Sequence, residues 1–112
     1  MVEEKLLALI LDSLKEPVLF ADTTHMTRYM NRAAMGFYKG GADLVGRSLM
    51  DCHKENSQRM LREVLADLQS SDEEEKLFFA DEKERVFMRA VRDREGRLIG
   101  YYERYERAPQ QN

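Results

Sequence analysis

A chain of 112 residues with 43% apolar and 35% charged side chains is one domain of ordinary size, far from the disordered class, and its modest core leaves room for stabilisation by a partner subunit. A formal net charge of -3 with both signs interspersed argues against a nucleic-acid surface, and no run approaches the roughly 20 apolar residues that span a bilayer. The acidic start Met1-Val2-Glu3-Glu4-Lys5 is unlike a basic leader, and a single cysteine, Cys52, precludes an internal disulfide; together they predict a cytoplasmic protein.

Residues 3–14 carry Leu6, Leu7, Ala8, Leu9, Ile10, Leu11 and Leu14, a wide apolar face at helical period. So wide a face predicts two contacts, one with a sheet and one with its twin in a homodimer. Pro17 stops the helix, because proline disfavours α geometry in the residue before it. Val18-Leu19-Phe20-Ala21-Asp22 reads as a buried strand, Thr23-Thr24-His25 as its turn, and residues 26–31 as the second strand of a hairpin. Asn31 is placed to cap a short helix over residues 32–38, which Gly40 and Gly41 end. One helical turn over residues 42–45 precedes Gly46. Arg47-Ser48-Leu49-Met50 then leads into a longer helix over residues 54–68, with Met60, Leu61, Val64, Leu65 and Leu68 as its inward stripe.

The last third predicts an antiparallel meander of three strands, over residues 75–80, 85–93 and 97–105. Asp93-Arg94-Glu95-Gly96 is a tight turn with glycine where the backbone needs positive φ. Strict alternation sets Val86, Met88 and Ala90 against Phe87 and Val91, and Leu98, Gly100 and Tyr102 against Ile99, Tyr101 and Tyr105. Apolar residues on both faces predict a sheet covered on both sides. The chain thus divides into a flanking dimerisation helix over 1–15, a domain over 16–106 and a flexible tail over 107–112.

The order helix, two strands, short helices, longer helix and three antiparallel strands resembles the PAS domain family over nearly the whole chain. The stretches that carry the likeness are Pro17-Val18-Leu19-Phe20-Ala21-Asp22, Tyr29-Met30-Asn31-Arg32-Ala33-Ala34, Leu44-Val45-Gly46-Arg47-Ser48-Leu49, and Val91-Arg92-Asp93-Arg94-Glu95-Gly96 with Leu98-Ile99-Gly100. Cys52-His53 ahead of the long helix is similar to a pair found in a subgroup of small prokaryotic members. The resemblance implies an α+β fold, a five-stranded antiparallel sheet of order 2-1-5-4-3 whose helices cup a cavity. It also implies a role in sensing and dimerisation within signal transduction, with haem, flavin, a small acid or nothing bound.

Cys52 is the redox candidate: at the start of a helix the unsatisfied amides favour a thiolate. The plainer reading makes Cys52 a buried small hydrophobe and His53 a partner in the cap region. The light-sensing branch of the family carries Asn-Cys-Arg where this chain has Asp51-Cys52-His53, and no histidine lies on the long helix; flavin and haem are therefore weakly supported and no cofactor is expected. With His25 the only other histidine and no metal-ligand spacing, no metal is expected either. Tyr29, Met30, Arg47, Cys52, His53, Met88 and Tyr102 are the candidate ligand-binding set, with Arg28, Arg89 and Arg92 as further anion-holding arginines and Tyr38 and Tyr101 as further hydroxyls. Surface ion pairing, sheet packing and an ordinary methionine core explain the same residues without a ligand. No elbow, phosphate loop or dinucleotide fingerprint points to an enzyme, so no catalytic residue is assigned. The choice lies between a sensory module with a small-molecule or redox input and a ligand-free module for protein interaction and dimerisation.

Overall fold

The meander forms as its alternation and turn dictate. β3 (Glu75–Ala80), β4 (Glu84–Arg92) and β5 (Leu98–Arg107) pair antiparallel in sequence, and β1 (Leu19–Asp22) with β2 (Thr27–Met30) adds to the free edge of β5. The result is one five-stranded antiparallel sheet of order β2-β1-β5-β4-β3. The computed structural model describes residues 3–107, apart from the side chain of Cys52; the predicted tail beyond Arg107 lies outside the described residues, and β5 runs one residue into it. At the β4–β5 turn Gly96 adopts φ 85°, and Asp93 Oδ1 accepts from the amides of Glu95 and Arg97, both at 2.9 Å.

Strict alternation holds through β4 but fails at the start of β5. The register passes from Val91 opposite Gly100 to Arg92 opposite Leu98, so Ile99 is an extra residue. This bulge turns Leu98 into the core beside Tyr101 and leaves Ile99 exposed, correcting the expected grouping of Leu98 with Tyr102. A second bulge between Leu77 and Phe79 lets both Phe78 and Phe79 serve the inner side of the sheet.

The inner face carries Leu19, Ala21, Met30, Val86, Met88 and Tyr101, covered by α2 (Arg32–Phe37), two 3-10 turns (Gly41–Leu44 and Leu49–Cys52) and α3 (Glu55–Gln69). α3 buries Leu61, Leu65 and Leu68 and exposes Arg62 and Glu63, as its stripe predicts. At its far end the Arg92 guanidinium donates from Nη2 to the carbonyls of Leu68, Ser71 and Glu73 at 2.8, 2.9 and 3.1 Å, placing a cation where the helix dipole is negative.

The outer face departs from the expectation of a greasy surface needing cover. Arg104 lays its guanidinium 4.4 Å above the Phe87 ring and donates to Glu75 at 2.8 and 3.2 Å, while Arg89 reaches Glu75 at 3.2 Å. Long side chains with wet ends thus screen the apolar rings beneath them.

α1 (Glu4–Asp12) lies against α2, but none of its residues is buried. Leu6, Leu7, Leu9 and Ile10 are 48–56% exposed. Its end is held by Asn31, whose Nδ2 donates to the carbonyls of Leu11 and Glu16 at 2.9 and 3.0 Å. Asn31 Oδ1 accepts from the amides of Val18 and Ala34, both at 2.9 Å. The predicted cap of α2 is therefore also the clasp of α1.

Candidate functional site

A cavity of about 390 Å3 opens between α2, the two 3-10 turns and the inner face of β3, β4 and β5. Leu19, Val86, Leu44 and Leu49 supply its aliphatic wall, and Phe37, Phe78 and Phe79 its rings. Its polar groups are Tyr38, Tyr105, Glu103, His53, Lys39 and Glu84.

The alternation of β5 brings the central group together. Tyr101, Glu103 and Tyr105 fall on the inner face opposite Ala90, Met88 and Val86. A carboxylate is thereby carried among core side chains, and Glu103 is only 8% exposed. Buried charge requires donors, and two phenols provide them. Tyr38, in the turn closing α2, donates to Glu103 Oε2 at 2.8 Å, and Tyr105 donates to the same oxygen at 2.5 Å; the two hydroxyls lie 2.5 Å apart. Phe37 braces both phenols, with ring centroids 5.0 Å from Tyr38 and 5.1 Å from Tyr105. Burial, then the charge of Glu103, pushes both phenols far above their ordinary range, so they remain protonated donors. Glu103 Oε1, by contrast, accepts no hydrogen bond, and no ion pair reaches this carboxylate among the described residues.

His53 stands at the other wall. Its Nδ1 lies 2.6 Å from the Leu49 carbonyl, and a carbonyl only accepts, so Nδ1 carries the proton and Nε2 of the neutral ring is an acceptor. Gln58 Nε2 ties this turn down through the carbonyls of Met50 and His53 at 2.7 and 2.9 Å. Cys52 closes the 3-10 turn next to His53, and its side chain lies outside the described residues.

A separate polar pair is sealed in the core. His25, in the β1–β2 turn at φ 65°, meets the Tyr101 hydroxyl at 2.7 Å. Burial, then the positive charge of Arg62, lowers the His25 pKa; burial, then Glu103 and Asp22, raises that of Tyr101. Against the upward push of burial, hydrogen bonds from Thr24, Arg28 and Met26 hold Asp22 well below the usual carboxylate range.

Of the candidate set, the described side chains bring only His53 to the cavity. Met30 and Met88 are core residues, 3% and 0% exposed. Tyr29 and Tyr102 sit half-buried opposite Phe20 on the outer face, away from the cavity, and Arg47 is exposed, its carbonyl accepting from the Thr27 amide and its amide donating to the Leu44 carbonyl. Arg28 pairs with Asp22, Arg89 with Glu74 and Glu75, and Arg92 with the end of α3. The residues sequence reasoning passed over are Glu103 and Tyr105. Their signal was the period-two run Tyr101, Glu103, Tyr105 opposite an apolar strand, an acid where a core residue belongs.

Among the described residues no cluster of three metal-ligating side chains occurs, and no helix is long and apolar enough to cross a membrane. A family profile described as "PAS domain" matches residues 7–105. No match is found among curated proteins. Among solved structures, the chain is similar to a C-terminal domain from Streptococcus mutans, with TM-score 0.76 and 24% identity over 95% of this chain and 85% of that one. The PAS domain of Bordetella pertussis BvgS superposes with TM-score 0.68 and 14% identity over 96% and 87% of the two chains. A sensory box sensor histidine kinase from Vibrio cholerae does so with TM-score 0.63 and 12% identity over 96% and 92%.

Proposed function

The chain belongs to the PAS domain family, and on that premise we propose that it is a cytoplasmic sensory module of signal transduction that binds a small molecule in the cavity above β5. The observation that carries this reading is a cavity of about 390 Å3, within the range of small-molecule sites, with an apolar wall and one buried carboxylate held by two phenols. Apolar surface supplies affinity there, and the convergent polar group supplies orientation.

The signal path follows the covalent and hydrogen-bonded neighbours of the site. Tyr38 follows α2 and Glu103 lies on β5, so a ligand that engages the carboxylate alters how these two elements meet. α2 is joined to α1 through Asn31, and α1 presents Leu6, Leu7, Leu9 and Ile10 to a second copy of the chain. A homodimer through α1, aided by the sheet face, is the assembly we propose; no reaction, nucleic acid or membrane enters. Cys52, next to His53, is the candidate for a redox input to the same wall.

The experiment is a native mass spectrum and an ultraviolet-visible spectrum of the purified protein, before and after mild oxidation. A discrete added mass that Glu103→Gln or Tyr105→Phe removes supports the sensory reading. Dimer mass alone, unchanged by oxidation, favours a ligand-free interaction module instead. The exposed leucines of α1 favour that second reading. A monomer by light scattering at tens of micromolar removes the dimer from both.

A further inference from the structure

The polar groups of the cavity are unequally divided between acceptors and donors. Glu103 is buried, lines the cavity and leaves Oε1 without a hydrogen bond, yet that atom is not sealed as the orphaned Thr27 Oγ1 and Tyr29 hydroxyl are. With Nδ1–H donated to the Leu49 carbonyl, the neutral form of His53 offers Nε2 as an acceptor. Both phenolic protons are committed to Glu103 or to each other, so the tyrosines have only lone pairs and ring faces to offer. Glu84 adds a second carboxylate, and among the described lining residues Lys39 is the one cation, on an exposed side chain that makes no ion pair with Glu103.

Three ligand classes can be weighed against this lining. An anion meets two carboxylates and a single wet lysine. A neutral hydrophobe leaves Oε1 buried and unpaired, an uncompensated desolvation cost set against its apolar contacts. A bare divalent metal lacks a donor set, since no three metal-ligating groups cluster among the described residues. An ammonium group satisfies what is open: it is all donor, it neutralises Glu103, and it is stabilised by aromatic rings, of which Phe37 meets Tyr38 edge to face and Tyr105 at a tilt beside the carboxylate.

We propose that the cavity takes an organic cation, a primary ammonium carried on a small aromatic or branched apolar body, with Glu103 Oε1 as the counter-ion, His53 Nε2 as a second acceptor and the phenylalanines around the body. This rests on the cavity being a ligand site and names the ligand class.

The test holds the body constant and changes the head: 2-phenylethylammonium, 2-phenylethanol and 3-phenylpropionate, titrated calorimetrically into the purified protein at neutral pH. The ammonium is expected to bind at least about tenfold more tightly than the alcohol, in line with a charge-assisted bond in place of a neutral one, and the propionate not measurably. Glu103→Gln keeps an amide oxygen for the two phenols. It is expected to lower ammonium affinity about tenfold while leaving the alcohol unchanged. Lys39→Met, on an exposed residue, is expected to raise ammonium affinity by removing a like charge at the mouth. Equal binding of alcohol and ammonium, tighter binding of the propionate, or indifference to Glu103→Gln overturns the cation while leaving the cavity a ligand site. No heat with any of the three, together with a native spectrum showing protein mass alone, overturns the cavity reading as well.

Discussion

Two glutamates on opposite faces of one sheet are treated in opposite ways. Glu75, on the outer face, is held by Arg104 and Arg89, and the guanidinium of Arg104 rests on Phe87. Its hydrogen bonds, that from Arg104 first, hold its pKa below the ordinary value. Glu103, on the inner face and more deeply buried, makes no ion pair among the described residues and has only phenols on one of its two oxygens. A carboxylate closed by guanidinium groups is a finished piece of structure. One that is buried with an oxygen left open is what the proposed recognition role uses, since a core that needed only stability could carry a leucine there.

The largest test acts on the sheet that both faces share. A Cβ at Gly100 would stand 2.2 Å from the Ala21 carbonyl oxygen and 2.5 Å from Phe20 Cζ, so Gly100→Ala forces β1 from β5. Its cost is expected to exceed about 3 kcal/mol in urea unfolding; a loss under about 1 kcal/mol would mean that the strands give way easily and that neither face is firmly held. Arg104→Ala breaks the comparison from the outer side, leaving Glu75 to Arg89 alone and uncovering Phe87. About 1 kcal/mol is expected for this partly wet pair, shrinking in high salt, and a salt-independent change would assign the effect to packing instead. Glu103→Gln is expected to alter unfolding by less than about 1 kcal/mol, since hydrogen bonding to the phenols persists.

Acid sharpens the contrast at Glu75. Its folded pKa is depressed, so the stability it contributes is present above the ordinary value of 4.5 and is lost as pH falls through the folded value. Glu75→Gln is expected to flatten the fall of the urea midpoint on acidification; an unchanged acid limb would remove Glu75 as its source.

Much of the frame was legible because it is local. The Asp93–Gly96 turn, the Asn31 cap and the leucine stripe of α3 are each written within a few residues. The chain-order likeness to a known family then supplied the sheet order that local pattern does not give. The site was less legible because Tyr38 and Glu103 are 65 residues apart and meet only once β5 lies between β1 and β4. Alternation named Tyr101 and Tyr105 as neighbours on one face, but the bulge at Ile99 disguised that face by placing Leu98 with them. Methionines chosen for the cavity proved to be the filling beside it, since a flexible thioether reads alike in either setting.

The Asn31 amide has two protons and two lone-pair positions, and all four are in use, joining the end of α1, the lead into β1 and the first turn of α2. No other side chain of similar size offers that valence: aspartate lacks the donors, serine the reach, and leucine both. The bearing of α1 relative to the sheet is therefore held chiefly by this side chain, with Asp12 Oδ1 accepting from the Arg32 amide at 2.8 Å as a second tie. A helical partner spliced ahead of residue 4 inherits that bearing as a rifle barrel sets a line of flight, and Asn31→Asp would leave the domain folded around its sheet while loosening its aim, with only the Asp12–Arg32 tie left at that end.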